Sequence, residues 1–187
     1  MHHPPYHETG IIRQLRPSDL PRFRDHLLRL DAESRRDRFN AVSKDDFLKQ
    51  YAERCFSQGA TVIGFERDGK LLGAAELHEQ PHEIEPTAEI AFSVEREMQN
   101  RGLGGKLFER LIGTALGFGY TKLHVTTHSN NRAMKSLARR FKASLTFGAE
   151  ETVGVIDLRA ALEGYAPFSL VASDLASGIA KVPQTSN

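Results

Sequence analysis

The 187-residue sequence lacks the features that mark several large classes of protein. Its single cysteine, Cys55, excludes a disulfide framework within the chain and any cysteine-rich zinc site. No apolar run approaches the length of about 18 residues that a transmembrane helix needs, and the first residues lack the apolar core of a signal peptide. We therefore expect one globular domain in the cytoplasm, with no membrane-bound part.

Neither sign of charge is in excess, because 25 Lys and Arg residues face 24 acids. This balance argues against a general binder of polyanions. The charges are nevertheless segregated: residues 71–95 hold six glutamates and no Lys or Arg, whereas residues 96–142 hold ten basic residues and two acids. Solvated faces can segregate in this way without a function, or one side can serve a phosphorylated ligand and the other an amine. Both interpretations are compatible with the residues.

Hydrophobic periodicity predicts a chain that contains both strands and helices. A first strand is followed by two helices and then by a hairpin around Asp68-Gly69. Residues 88–94 alternate as a half-buried strand does, with Glu89 on the face opposite Ile90. The remaining predicted elements are a helix at about 103–116, a strand at 122–127, a helix at 130–140 and short strands at 145–147 and 153–158. Residues 1–9 are predicted to be a flexible tail, and residues 163–187 a partly disordered appendage.

A glycine-rich loop joins the strand at 88–94 to the helix that follows it. Gly102, Gly104 and Gly105 lie within four residues, directly before an apolar helical pattern. Backbone N–H groups are unpaired at a helix start, where the helix dipole favours an anion. Glycine lets the backbone approach a ligand that a Cβ atom would keep away. Strand, loop and helix together predict a phosphate site, although such a loop can also do no more than pack a helix on a strand.

Two common phosphate loops do not fit this segment. A Walker A loop would need a glycine where Asn100 stands and a hydroxyl where Leu107 stands. A dinucleotide fingerprint fits Gly102 and Gly104, but its third glycine position is again Leu107. What remains is a Gln-x-x-Gly-x-Gly run from Gln99 to Gly104.

That run after a strand, together with Asn131, Met134 and Leu137 downstream, resembles the acyl-CoA motif of the GNAT N-acetyltransferase superfamily. The resemblance covers about Ile11 to Leu158 and implies a domain at residues 10–162. The implied fold class is α/β (α+β), the GNAT fold. It has a central mixed, mostly antiparallel sheet of about six to seven strands, flanked by four helices, with a V-shaped splay between the two central strands.

The resemblance further implies acetyl-CoA as a co-substrate. The loop N–H groups would bind its diphosphate, and the backbone of the motif strand would pair with its pantetheine arm. No metal is expected. The implied cofactor-binding residues are Phe92, Ser93, Val94, Gln99, Asn100, Arg101, Gly102, Leu103, Gly104, Gly105, Lys106, Asn131 and Met134.

Glu89 is the candidate general base. A lysine amine has a pKa near ~10.4, so a base that removes its proton accelerates attack on a thioester. Glu89 lies in an Ala-Glu-Ile-Ala-Phe strand, which is similar to the position of the catalytic glutamate in histone and protein lysine acetyltransferases of the superfamily. A solvated strand glutamate without a catalytic role is the alternative. Glu76, His78 and His82 are further candidates that could act through water.

Two positions depart from the family pattern. Many GNAT enzymes carry a tyrosine, proposed to protonate the leaving thiolate, where this sequence has Leu137. The usual Gly-Phe pair after that helix reads Lys142-Ala143. The first departure leaves no evident general acid, so water or no acid at all must serve. It also keeps open a second function, a non-catalytic acyl-CoA-binding sensor or regulatory domain.

The acceptor is predicted from one short segment. Residues 30–39 read Leu-x-x-Glu-Ser-Arg-x-x-Arg-Phe, which is similar to the catalytic GNAT domain of bacterial protein lysine acetyltransferases. A protein lysine is therefore the favoured acceptor and a small-molecule amine the next, by direct attack in a ternary complex. We expect a monomer or a homodimer.

Two further side-chain groups have a structural and a functional interpretation. Cys55 lies on an apolar helical stripe, which favours a buried, inert thiol over an acyl-accepting nucleophile. The basic helix from Arg132 to Lys142 could bind nucleic acid, but its apolar stripe favours packing against the core. No nucleic-acid partner is therefore expected.

Overall fold

Residues 10–160 are described by the computed structural model, and they form one seven-stranded sheet in the order β1-β2-β3-β4-β5-β7-β6. All neighbouring strands are antiparallel except β4 and β5, which are parallel. The strands are β1 (Ile11–Gln14), β2 (Thr61–Arg67), β3 (Lys70–Glu79), β4 (Thr87–Val94), β5 (Lys122–His128), β6 (Ser144–Phe147) and β7 (Glu151–Asp157).

Five α-helices flank the sheet within the described part of the chain: α1 (Leu20–Arg29), α2 (Ala32–Phe39), α3 (Asp45–Ser57), α4 (Leu103–Gly117) and α5 (Arg132–Arg140). A hydrophobic core with Leu107 and Leu111 of α4 lies on one face of the sheet. A second core, with Phe23 of α1 and Leu48 of α3, lies on the other face. None of the helices in residues 10–160 has the length and apolar character needed to cross a membrane.

The parallel pair at the centre of the sheet is incomplete. β4 and β5 pair only through Thr87–Glu89 and Lys122–His124. Beyond that point the structure gives no register between the two strands, although both continue for several residues. Unpaired backbone is therefore left at the middle of the sheet, on the side towards which both strands run. This opening matches the V-shaped splay that the sequence resemblance implies.

The expected mixed sheet is confirmed, and α2 is the main difference from the prediction, which had four helices. Asp31 starts α2 by accepting a hydrogen bond from the Ser34 N–H (2.8 Å), and Asn40 ends it in a left-handed conformation. The helix buries none of its residues fully, so it has no apolar stripe from which periodicity could predict it.

Smaller differences concern the ends of elements. α3 begins after Lys44, which is its N-cap residue. The hairpin between β2 and β3 turns at Asp68-Gly69 as predicted, with both residues at positive φ. The predicted tail (1–9) and appendage (163–187) lie outside the described residues.

Candidate active site

A cavity of about 600 Å³ opens at the end of β4, beyond its last pair with β5. Its walls come from the end of β4, the starts of α4 and α5, and the helix α2. Clefts of this size are typical of small-molecule sites. The predicted cofactor residues that line it are Phe92, Ser93, Val94, Gln99, Asn100, Gly102, Leu103, Gly104, Asn131 and Met134. Arg101, Gly105 and Lys106 are not among the lining residues.

The glycine loop forms the end of this cavity at the start of α4. Gly102 is the N-cap residue and has a φ of 82°, a conformation that suits glycine. Lys106 donates the first helical hydrogen bond, to the Gly102 carbonyl (3.2 Å), so the preceding helical N–H groups have no partner within the helix. No acidic side chain lies in the first turn of α4. The end of the cavity is therefore suited to a phosphate group.

Gly105 does not line the cavity. A Cβ atom at this position would lie 3.2 Å from a guanidinium nitrogen of Arg140, the end of a flexible side chain of α5. Gly104, in contrast, lines the cavity, and a Cβ atom there would meet only Leu137 at an ordinary distance of 3.7 Å. The sequence pattern could not separate these two glycines, because the distinction depends on a residue of α5.

Gln99 joins three parts of the site. Its amide donates hydrogen bonds to the Val94 carbonyl (2.9 Å) and to the Ser34 hydroxyl of α2 (3.0 Å). Arg96 adds two ion pairs to the same region of α2, with Asp31 (2.7 Å) and Glu33 (2.8 Å). These contacts hold α2 against the segment between β4 and α4. Sequence reasoning could not find these contacts, since about 65 residues separate the partners.

α2 also supplies the polar wall of the cavity, with Glu33, Ser34, Asp37 and Arg38. Burial raises the pKa of Asp37 above its ordinary value. Arg38 extends from this wall to the buried carboxylate of Glu76. Sequence reasoning missed Asp37 and Arg38 as cavity residues.

The start of α5 closes the opposite wall. Asn131 caps this helix: its side-chain oxygen accepts a hydrogen bond from the Met134 N–H, and its amide donates to the Thr127 hydroxyl, both at 2.9 Å. Leu137 lines the cavity at the position where many GNAT enzymes have a tyrosine. Ala138 and Phe141 are buried, so the apolar stripe of this basic helix packs against the core.

Glu89 lies beside the cavity and does not line it. It is the last β4 residue that pairs with β5, where the two strands begin to separate. Its direct neighbours are His78 on β3 and His124 on β5. One carboxylate oxygen accepts a hydrogen bond from the Gln80 amide (3.2 Å). Its assignment as the base stays a prediction.

Glu76 is fully buried and forms the centre of a polar cluster behind the cavity. One carboxylate oxygen lies 2.9 Å from Arg38 and 3.0 Å from His78, and it accepts a short hydrogen bond from the Tyr51 hydroxyl. Burial alone would raise the pKa of Glu76, but the charge of Arg38 and the hydrogen bond to His78 outweigh this effect and lower it to about 2. Glu76 is therefore a buried counterion, which argues against its earlier interpretation as a base acting through water.

Cys55 belongs to the same cluster. Burial and the nearby carboxylate of Glu76 raise the pKa of its thiol to about 12, so the thiol stays protonated at neutral pH. The inert interpretation of Cys55 is thus favoured. Cys55, Glu76 and His78 are close enough together to bind a metal ion. The positive charge of the Arg38 guanidinium, 2.9 Å from the Glu76 carboxylate, argues against a cation site there.

A second buried network holds the end of β4 to α1. His26 lies 2.9 Å from the Ser93 hydroxyl and 3.1 Å from the Glu95 carboxylate, which also accepts a hydrogen bond from Arg29 (2.9 Å). The order serine, histidine and carboxylate is that of a hydrolase triad. The His26 ring is 0% exposed, however, so water has no access to it. We assign this network to positioning the strand beside the cavity.

The buried carboxylate of Glu76 predicts a loss of stability in acid. Its pKa falls from 4.5 to about 2 on folding, so its stabilisation is complete above the unfolded value and is lost as the pH falls towards the folded one. We expect the free energy of unfolding to decrease by about 3 kcal/mol between pH ~5 and pH ~2. Urea titrations across this range measure the decrease. A free energy that stays constant down to pH ~2.5 would contradict the ionised state of Glu76.

Comparison with known proteins identifies the family. The sequence model of the GNAT acetyltransferase family matches residues 24–142. The GNAT domain of S. lividans PAT is 16% identical with a TM-score of 0.70, and the match covers 83% of this chain and 99% of that one. The yncA structure from Salmonella typhimurium, which contains its cofactor acetyl-CoA, is 22% identical with a TM-score of 0.59, over 80% and 94%.

A third similar structure is the ribosomal-protein-S18-alanine N-acetyltransferase from Escherichia coli, which is 18% identical with a TM-score of 0.62, over 80% of this chain and 94% of that one. At such identities the structural matches support the fold alone. The family model covers well over half of the chain, and it agrees with the splayed strands and the glycine loop. The chain therefore belongs to the GNAT family of acetyltransferases.

Proposed function

We propose that this protein transfers an acetyl group from acetyl-CoA to a primary amine, by direct attack in a ternary complex. The observation that carries the proposal is the cavity at the end of β4, beyond its last pair with β5, which ends at the N-terminus of α4. Its open strand backbone and its glycine loop match the two chemical parts of coenzyme A, an amide-bearing arm and a diphosphate.

The cavity binds the donor, acetyl-CoA, by its diphosphate and by its pantetheine arm. The N–H groups of the segment from Arg101 to Lys106 bind the diphosphate, and Gln99 holds the loop in place through its bonds to Val94 and Ser34. The backbone of Phe92–Val94 pairs with the pantetheine arm, and Met134 contacts it from the opposite wall. Asn131 supports this wall as the cap of α5.

The acceptor amine approaches the thioester from the face of the sheet that carries Glu89. The amine nitrogen forms a bond to the thioester carbon, the carbon–sulfur bond breaks, and Glu89 takes the proton that the ammonium group must lose. A protein lysine is the favoured acceptor because of the similarity of residues 30–39 to protein lysine acetyltransferases, and a small-molecule amine is the next.

The leaving thiolate takes its proton from water. Leu137 stands where a tyrosine donates this proton in many relatives, and it offers no hydroxyl group. A thiol with an ordinary pKa near ~8.5 leaves readily as the thiolate at neutral pH, so the demand on a general acid is modest.

Leu137 also favours a second candidate function, an acyl-CoA sensor without turnover. Calorimetry with acetyl-CoA tests the donor site that both functions share. Release of free thiol during incubation with lysine peptides and with small amines then separates the enzyme from the sensor. Binding without thiol release from any acceptor supports the sensor, and absence of binding to the folded protein contradicts both functions.

Gly104 offers a test that separates donor binding from folding. We expect Gly104→Ala to weaken acetyl-CoA binding about tenfold or more, because the new Cβ atom enters the cavity where the backbone must approach the diphosphate. Stability should stay the same or rise, since the Cβ atom meets only Leu137 at 3.7 Å and alanine favours a helix. Calorimetry measures the affinity and urea titration the stability.

Gly113 provides the matched control in the same helix. A Cβ atom there meets nothing within 4 Å, and Gly113 is not a lining residue. Gly113→Ala should therefore stabilise the protein and leave the affinity for acetyl-CoA unchanged. Equal affinities in the two variants would place the diphosphate elsewhere.

A further inference from the structure

His78 connects the buried Glu76 cluster to the face of the sheet that carries Glu89. Its ring nitrogen Nε2 lies 3.0 Å from a Glu76 carboxylate oxygen and 3.2 Å from the Tyr51 hydroxyl. The Glu76 side chain is 0% exposed, whereas the His78 side chain is 29% exposed. One edge of the imidazole therefore faces a buried anion while part of the ring reaches solvent.

The neighbours of His78 determine which ring nitrogen carries the proton. The Tyr51 hydroxyl donates its single proton to Glu76, so it cannot also donate to His78. The carboxylate of Glu76 is held ionised by Arg38 and accepts hydrogen bonds only. In the neutral imidazole the proton is therefore on Nε2, directed at these oxygens. Nδ1 keeps a lone pair that can accept a proton.

His78 is also the direct neighbour of Glu89. The two residues pair across β3 and β4, so their side chains share one face with Cβ atoms about 5 Å apart. The Glu89 carboxylate is held by Gln80, on the side away from the splay. The next β3 residue on this face towards the splay is Glu76, which pairs with Ala91. The imidazole thus lies beside the Glu89 side chain on the same face of the sheet.

We propose that His78 is a relay residue for the proton released by the acceptor amine. The proposal rests on the proposed function. Glu89 takes the proton from the ammonium group and passes it to Nδ1 of His78, while the Nε2 proton stays on Glu76. The resulting imidazolium lies between two carboxylates, and its partly exposed ring then releases the proton to water. One proton moves and no electrons are transferred.

Taken together, the charged groups around His78 favour this role. Glu76 on β3 and Glu89 on β4 stabilise the imidazolium, and Arg38 on α2 opposes it through its charge. Tyr51 and Cys55 on α3 stay neutral at neutral pH, because burial raises the pKa of both. His124 on β5 pairs with Glu89 from the opposite side, so Glu89 separates it from His78.

The pH dependence of the rate tests the relay. We expect the ratio of kcat/KM between the wild type and His78→Gln to rise about tenfold with pH as the imidazole loses its proton and then to level off, because only the neutral imidazole can accept a proton on Nδ1. Taking the ratio cancels the ionisation of the acceptor amine, which both proteins share. Glu83, an exposed residue of the loop between β3 and β4, provides the matched control. The ratio for Glu83→Gln should be independent of pH, and a ratio for His78→Gln that is also flat overturns the relay.

A measurement without turnover distinguishes failure of the relay from failure of the proposed function. NMR of the substrate-free protein with ¹⁵N-labelled histidine, at pH ~8, should show the proton of His78 on Nε2. A proton on Nδ1 overturns the relay even if the enzyme is active. Absence of thiol release with every amine, together with the expected tautomer, contradicts the proposed function and leaves the Glu76–His78 pair established.

Discussion

Replacing Arg38 by leucine is expected to lower the free energy of unfolding by about 3–5 kcal/mol, the usual cost of leaving one partner of a buried ion pair alone. The carboxylate of Glu76 is fully buried, and Arg38 provides the compensating charge at 2.9 Å. The Arg38 guanidinium also lies over the rings of Phe39 and Tyr51, at 4.7 and 5.2 Å from their centres, and these contacts are lost as well. Urea unfolding of both proteins at pH ~7 measures the difference.

The double variant Arg38→Leu, Glu76→Leu is the control for this explanation. It removes both charges, so its stability should return to within about 1 kcal/mol of the wild type or exceed it. The single variant should also approach the wild type as the pH falls. Without Arg38 the pKa of Glu76 rises, and its protonation then removes the buried charge. If the stability of Arg38→Leu at pH ~7 lies within ~1 kcal/mol of the wild type, Arg38 does not compensate a buried charge on Glu76.

The sequence could predict the loop of the site because its signal is local. The Gln99–Gly104 run, the strand before it and the helix after it are contiguous, and the structure places most of this run at the cavity. The alternation of β4 was predicted for the same reason. Ile90 is buried in the core on the α4 side, and Glu89 points to the other face. A period of two residues needs no information from distant parts of the chain.

α2 could not be predicted in this way. Its contacts are polar and come from residues far away in sequence, namely the ion pairs of Arg96 and the hydrogen bond of Gln99. Glu33, for example, pairs with Arg96, which is 63 residues away. A helix held by tertiary ion pairs leaves no periodic signal.

The acid-rich stretch from Leu71 to Glu95 was only partly understood from sequence. It suggested a surface that attracts amines, but Glu76 and Glu95 are buried and already paired, with Arg38 and Arg29. A single glutamate within the apolar run of β3 was a signal of burial. Its partner could not be identified, since 38 residues separate Glu76 from Arg38. The acidic surface therefore consists of the remaining glutamates, including Glu89.

Replacing Glu89 by glutamine is expected to reduce kcat by roughly 10²–10⁴-fold at pH ~7, the usual contribution of a general base. The amide keeps the size of the side chain and can still contact Gln80. Because Glu89 does not line the cavity, the affinity for acetyl-CoA should stay unchanged. Steady-state rates of thiol release at saturating acetyl-CoA measure the first effect, and calorimetry measures the second.

The pH dependence of this loss identifies its cause. A lysine amine has a pKa near ~10.4. Below that value, its free fraction rises about tenfold for each unit by which the pH increases, so the amine needs the base less at higher pH. The deficit of Glu89→Gln should therefore shrink steadily from pH ~7 to pH ~9.5. Glu83→Gln, in the exposed loop before β4, is the matched control and should retain wild-type rates. A deficit that is independent of pH would assign Glu89 to binding the acceptor, and full activity at pH ~7 would exclude it as the base.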